Sequence, residues 1–391
     1  MNLLKKINTL KVSTIFQKQF KSFADILNKK HIDFVELRSD VKTLPTKKMR
    51  ESVLEAEFGD MAKLEDEVVD KLEKKVASLL GKERGLFVTS GLMGNYVSLL
   101  INLSRGDYLL QGRDCHINNT EIKTQQMLGI IPMLFDNNSD ATLDIDEKKV
   151  LKIIEDNKNS VEFIKKMKVI TTENTHNYLG GKVLRPDYIK TIKNICNNVK
   201  KTHNDFNPKF HLDGSRILNA AVYLNVDPKV LTEGYHTVNM CLSKGVGAPI
   251  GSVVCLDDKD YMTGEGIRRN LGGALRQGGF IAAPALVALE DWKERFIIDH
   301  KNAKILYEGI KKIHGLNVIQ PETNIVKILF EPKYQDKVQE FTNILKEKYK
   351  INVYNMFNNL YIRCVLHHQV TSEQIERTIF AFNEVGKDIL N

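Results

Sequence analysis

The sequence predicts an α/β chain. A large domain carries a mostly parallel sheet covered by helices, and a small α+β domain follows it. Two patterns carry this reading. From residue 85 onward, short apolar runs alternate with stretches of helical period, and after Phe280 one long helical stretch leads into a mixture of short strands and helices. The composition suits such a chain: 391 residues, 42% hydrophobic and 27% charged, are too apolar for disorder and enough for more than one core.

The runs at 85–89, 107–110, 130–135, 168–172, 210–213, 238–242 and 252–256 are short and nearly uninterrupted, as strands buried on both faces are. Helical spacing occupies 95–103, 147–155 and 187–199. The lysine- and asparagine-rich stretch 197–208 predicts an exposed loop. Beyond Phe280 the expected order is a helix over 282–313, strands at 316–319 and 325–330, and a helix at 337–348. Strands at 352–357 and 361–366 come next, with a closing helix at 371–385. The chain thus divides into a basic N-terminal segment (1–30), a large domain (31–280) and a linking helix with the small domain (281–391). In a parallel sheet of this kind the strand tips that lead into helices are where chemistry is expected.

The net charge of +8 is concentrated at one end. Residues 1–30 hold seven lysines and one acid, Asp25, which leaves +2 for residues 31–391. The body therefore gives no electrostatic reason to expect a nucleic-acid partner. In the basic segment, Leu3/Ile7/Leu10 and Phe16/Phe20/Phe23 each line one face of an amphipathic helix. That pattern fits a mitochondrial import segment, although it lacks arginine, and equally a helix that docks on the body or on a partner subunit. The matching locations are mitochondrial or cytoplasmic. The longest uncharged apolar run, 280–289, is interrupted by Pro284 and is too short to cross a bilayer, so no membrane span is expected. Five cysteines (115, 196, 241, 255, 364) are scattered without a C-x-x-C pair, which argues against a disulfide framework or a zinc site.

Three strand ends carry chemistry. In Val88-Thr89-Ser90-Gly91-Leu92-Met93-Gly94-Asn95 a strand passes through small residues into a helix, where free N–H groups can cradle an anion. The spacing matches neither the Walker nor the G-x-G-x-x-G pattern, which disfavours a nucleotide. Phe210-His211-Leu212-Asp213-Gly214-Ser215-Arg216 places an aspartate and an arginine at the sheet's carboxyl edge. Cys241-Leu242-Ser243-Lys244-Gly245 ends another strand on a lysine, which is costly there unless exposed, paired or covalently used. An anion cradle, a strand-end acid and a strand-end lysine together are what pyridoxal 5'-phosphate requires. Its phosphate needs N–H donors, its ring nitrogen an anion, and its aldehyde an amine.

From Leu37 to its C-terminus the chain resembles the threonine aldolases, the low-specificity L-threonine aldolase branch of the β-eliminating lyases. Six stretches carry the resemblance in the family's order. They are Leu37-Arg38-Ser39-Asp40, Ser90-Gly91-Leu92-Met93-Gly94-Asn95, Glu173-Asn174-Thr175-His176-Asn177, His211-Leu212-Asp213-Gly214, Cys241-Leu242-Ser243-Lys244-Gly245 and Leu271-Gly272-Gly273-Ala274-Leu275-Arg276-Gln277. The resemblance implies an aspartate-aminotransferase-like fold and a homodimer or homotetramer. It also implies cleavage of L-threonine or L-allo-threonine to glycine and acetaldehyde.

By the same resemblance Lys244 would form the Schiff base with pyridoxal phosphate, Asp213 would face the ring nitrogen and Arg216 the phenolate oxygen. Gly91 and the backbone of Leu92 would hold the phosphate, and Arg276 would reach a phosphate from a neighbouring subunit. His116 would stack on the ring. Ser39 and Arg363 would clamp the substrate carboxylate, and His176 would lie near the substrate hydroxyl, so His116 and His176 are the acid–base candidates. Two positions depart from the family: Leu92 replaces the usual cradle threonine, and Lys63-Leu64 replaces a tyrosine-glycine pair. The second departure leaves room for a lyase or racemase acting on another β-hydroxy amino acid. A non-catalytic oligomeric scaffold is the reading that retention of Lys244 and Asp213 opposes.

Overall fold

The computed structural model describes residues 34–160 and 162–390; the basic segment 1–30 lies outside them. After the short strand β1 (Val35–Glu36), seven strands build the large sheet: β2 (Arg84–Val88), β3 (Tyr108–Gly112), β4 (Ile131–Phe135), β5 (Met167–Glu173), β6 (Lys209–Asp213), β7 (Thr237–Cys241) and β8 (Ser252–Leu256). Their order across the sheet is β2-β8-β7-β6-β5-β3-β4. All neighbours run parallel except those of β8, which lies antiparallel between β2 and β7. Every residue of β7 and of β8 is buried, as helices on both faces require.

The small domain holds β9 (Leu316–Ile319), β10 (Ile325–Phe330), β11 (Ile351–Asn352), β12 (Tyr354–Met356) and β13 (Tyr361–Val365). Its antiparallel sheet has the order β12-β13-β10-β9, while β11 pairs in parallel with β1. Helices Trp292–Ile310, Val338–Glu347 and Ser372–Leu390 supply the apolar residues that cover it, among them Leu306, Phe341 and Phe382.

Three expectations change. The long helix expected over 282–313 is two helices, Gly279–Ala288 and Trp292–Ile310, separated by a turn at Leu289, Glu290 and Asp291. The first packs on the large core through Ala282, Ala285 and Ala288, and the second closes the small one through Ala303, Leu306 and Ile310. Val35 and Leu37 also belong to the small core, so the two cores do not divide the chain at residue 280. The stretch expected as a loop from 197 is helical to Thr202, because Cys196 and Val199 continue the buried stripe of Ile189 and Ile192 while the lysines and asparagines face out.

The sheet geometry gathers the site. Glu173, Asp213 and Asn239 are register partners on β5, β6 and β7, so the carboxyl ends of these strands lie side by side. Helix Gly91–Leu100, capped by the Ser90 hydroxyl on the Met93 N–H (3.1 Å), crosses above them at close range. A Cβ on Gly94 would fall 2.1 Å from Asn239 Oδ1, and only glycine permits that approach.

Candidate active site

Asp213 is buried at the tip of β6. Its Oδ1 accepts from the Ser215 N–H (3.1 Å) and its Oδ2 from Asn95 Nδ2 (3.1 Å). Burial alone would raise this carboxyl. The positive charges of Lys244 and His116 and the Ser215 hydrogen bond hold it below its ordinary value, so it stays anionic. Asn95 is itself held, since its Oδ1 accepts from Asn239 Nδ2 (2.8 Å) and lies 3.3 Å from His211 Nε2.

The loop after β7 carries Lys244. Its carbonyl accepts from the Gly247 N–H (2.8 Å) and its Nζ makes no hydrogen bond or ion pair among the described residues. Asp213 and Asp40 both feel its charge. At the start of helix Gly91–Leu100, the N–H groups of Gly91 and Leu92 precede the first ladder bond, which runs from Gly94 N–H to Ser90 O (3.0 Å). A Cβ at Gly91 would stand 3.5 Å from Cys241 Sγ and 3.9 Å from Ser215 Oγ, so this helix start adjoins the ends of both β6 and β7. The Leu92 side chain is 42% exposed and brings no hydroxyl.

His116 begins helix His116–Leu128. Its N–H donates to Glu173 Oε2 (2.7 Å), and Nδ1 lies 3.0 Å from Glu121 Oε1. Burial lowers its pKa, but the Glu121 hydrogen bond and the charges of Asp213 and Glu173 outweigh this and raise it. Asn95 Nδ2 donates to Glu121 (3.0 Å) as well as to Asp213, which ties the histidine's carboxylate to the strand-end acid. One ligating atom each from His116, Glu121 and Asp213 falls within 4.8 Å of the others, and this shared amide donor accounts for that cluster.

In β13, Arg363 is buried. Its Nη1 donates to Asn177 Oδ1 (2.8 Å) and its Nη2 to the Arg38 carbonyl (3.2 Å), while its Nε has no acceptor. Among the described residues no carboxylate lies within 4 Å of this guanidinium. Burial first, then the Arg216 charge, lower its pKa, yet an arginine stays cationic. The Asp40 charge that Arg363 feels is gripped by Arg216, so a substrate carboxylate fits this buried guanidinium.

The remaining expected residues are placed as follows. Arg216 grips Asp40 through Nε (2.8 Å) and Nη2 (2.7 Å), leaving Nη1 near Asn177 Oδ1 (3.4 Å) and not the whole fork for a cofactor oxygen. Ser39 is buried and caps a 3-10 turn, with Oγ 3.4 Å from the Val41 N–H. His176 is buried with both ring nitrogens unpartnered, so it can meet a hydroxyl. Arg276 is largely exposed, with Nη1 3.1 Å from Asp60 Oδ2 of its own chain. Asp40, Asn95, Glu121, Glu173 and Asn177 organise the site and carried no role in the sequence reading. Asp40 and Asn177 stand beside Ser39 and His176 in motifs already singled out, and a buried Arg216 demands an acid. Nothing in the spacing of Glu121 points to Asp213.

These features suit pyridoxal phosphate: a helix start offers N–H donors, an anionic Asp213 is held rigidly, and the Lys244 amine has no partner among the described residues. The β-eliminating lyase family model matches residues 36–331. The chain belongs to the β-eliminating lyase family. It is 35% identical over 356 residues to low-specificity L-threonine aldolase 1 of Arabidopsis thaliana, covering 90% of this chain and 96% of that one. It is 32% identical over 346 residues to the low specificity L-threonine aldolase of Escherichia coli K12, covering 87% and 96%. Its fold is also that of the Leishmania major threonine aldolase structure, with a TM-score of 0.72 at 13% identity over 90% of this chain and 99% of that one. The family and the fold indicate pyridoxal phosphate as the cofactor.

Proposed function

We propose that the protein is an aldolase that splits L-threonine or L-allo-threonine to glycine and acetaldehyde. One observation carries this reading: the buried Arg363, which among the described residues meets no carboxylate within 4 Å and shares the Asn177 amide oxygen with Arg216. Pyridoxal phosphate, when bound, supplies an aldehyde for amines and a cationic ring that accepts the electron pair left on Cα.

The chain's own residues do the rest. Lys244 would provide the amine that holds the cofactor. Asp213, kept anionic, holds the proton on the ring nitrogen. Arg363, steadied by Asn177, would fix the substrate carboxylate and so orient the substrate for Cα–Cβ cleavage. His176, whose ring nitrogens have no partner among the described residues, and His116 would be the groups to take the β-hydroxyl proton. The names of the relatives support the same substrate.

The working form is a homo-oligomer. Phe58 and Phe280 pair at 6.1 Å, are about half exposed, and adjoin the loop of Arg276. Leu64, in the departing Lys63-Leu64 pair, is exposed on the neighbouring loop, which the Met61 N–H ties to the Arg276 carbonyl (2.8 Å). Such a face is what a second copy covers.

The test is acetaldehyde release from both threonine diastereomers by protein loaded with pyridoxal phosphate, with Lys244→Ala as control. Release that the variant abolishes supports the reading. Turnover of serine or phenylserine with none of threonine would favour the lyase alternative that the Lys63-Leu64 departure keeps open.

A further inference from the structure

We infer that Glu73 and Arg268 are positioning residues for the cofactor phosphate: without touching it, they set the place of the helix start at Gly91 that receives it. The inference rests on pyridoxal phosphate being the cofactor and extends that reading to two residues remote from the site.

β2 is an edge strand of the large sheet, so one side of it has no strand to bond. On that side a buried charge pair takes the strand's place. Glu73, on helix Glu67–Leu79, accepts the Phe87 N–H at Oε1 (2.7 Å). Arg268, near the end of helix Asp258–Asn270, donates from Nη1 to the Phe87 carbonyl (3.0 Å). The same Nη1 lies 3.5 Å from Glu73 Oε1, and the Tyr261 hydroxyl donates to Glu73 Oε2 (3.3 Å). Glu73 is buried and Arg268 fully so. Apolar side chains covering this edge would leave both Phe87 groups unpaired, whereas the charge pair satisfies them and fixes where they lie.

Phe87 stands three residues before the Ser90 cap, and the N–H groups of Gly91 and Leu92 follow. A shift of β2 along its axis therefore moves the cradle with it. Arg268 also acts on the cradle from a second side. Its carbonyl accepts from the Gly273 N–H (2.8 Å), and a Cβ on Gly273 would stand 2.7 Å from Met93 Sδ. Met93 lies in the first turn of the cradle helix, and its N–H is the one the Ser90 hydroxyl caps. Strand end and helix start thus both depend on residue 268. Its Nε and Nη2 have no hydrogen-bond partner among the described residues, so Nη1 carries the contact to β2 alone.

The test is equilibrium dialysis of the cofactor-free full chain against pyridoxal phosphate and against pyridoxal, which shares the ring and aldehyde but lacks the phosphate. Glu73→Leu and Arg268→Lys should each raise Kd for pyridoxal phosphate by about 5- to 10-fold, the size of one oriented hydrogen bond lost. Kd for pyridoxal should stay within about twofold of wild type, which shows that the rest of the site is assembled. Glu73→Gln keeps an acceptor for the Phe87 N–H and should restore the preference for the phosphorylated ligand. Equal losses for both ligands, or no loss for either, would overturn the positioning role. Should Glu73→Leu fail to fold, Arg268→Lys decides by the same comparison. A wild type that binds pyridoxal as tightly as pyridoxal phosphate would instead overturn the cradle at Gly91.

Discussion

Asp40 and Arg216 are joined by two parallel hydrogen bonds, 2.7 and 2.8 Å, in the interior between the two domains. Asp40 follows β1, whose core neighbours belong to the small domain, whereas Arg216 follows the cofactor-side strand β6. Burial alone would push the Asp40 carboxyl up. The charge and hydrogen bonds of Arg216, with Lys244 and Arg363 further off, hold it well below the usual carboxylate range.

Removing one member of such a pair strands the other. Asp40→Asn is expected to destabilise the protein by about 3 kcal/mol or more, seen as a lower midpoint of urea unfolding. A midpoint unchanged from wild type would show that Arg216 finds another anion.

Arg363→Lys tests the clamp. Lysine keeps the charge and loses the planar fork, so KM for the amino acid should rise by about 10-fold or more while the affinity for pyridoxal phosphate stays close to wild type. Equal losses in substrate and cofactor binding would place Arg363 on the cofactor instead.

Glu121→Gln should move one limb of the pH profile of kcat/KM. The Glu121 contact raises the pKa of His116, so replacing that carboxylate lets the imidazolium lose its proton at lower pH, and the limb reporting His116 shifts down. A profile unchanged in position would separate His116 from the rate.

Much of this arrangement was legible in the sequence because strand ends are local features. The run that became β6 ends on Asp213, and those that became β2 and β7 lead within a short turn to Gly91 and Lys244, whatever the helices do. The long-range partners were not legible: Glu121 and Asp213 share the Asn95 amide as donor, and Asp40 meets Arg216 across 176 residues. Helical phase also outweighed composition, as the helix running through Thr202 shows.

Asp299 offers a test of the domain linkage. It is buried on helix Trp292–Ile310 with both oxygens unpartnered, and burial first, the Asp40 charge second, push its pKa up to about 7. An acid whose folded pKa lies above its unfolded value adds stability below about pH 4, and that contribution fades as pH rises through 7. Relative to wild type, Asp299→Asn should therefore gain stability between pH 5 and pH 8, by roughly 1.4 kcal/mol per pH unit at most. Thermal melts at the two values check it, and a constant offset would contradict it.

The most direct measurement locates the covalent attachment. Protein saturated with pyridoxal phosphate is reduced with borohydride, digested, and its peptides are weighed. The account predicts a pyridoxyl group on the peptide containing Lys244, absent in Lys244→Ala. An unmodified Lys244 peptide, with the label on other lysines or on none, would contradict it.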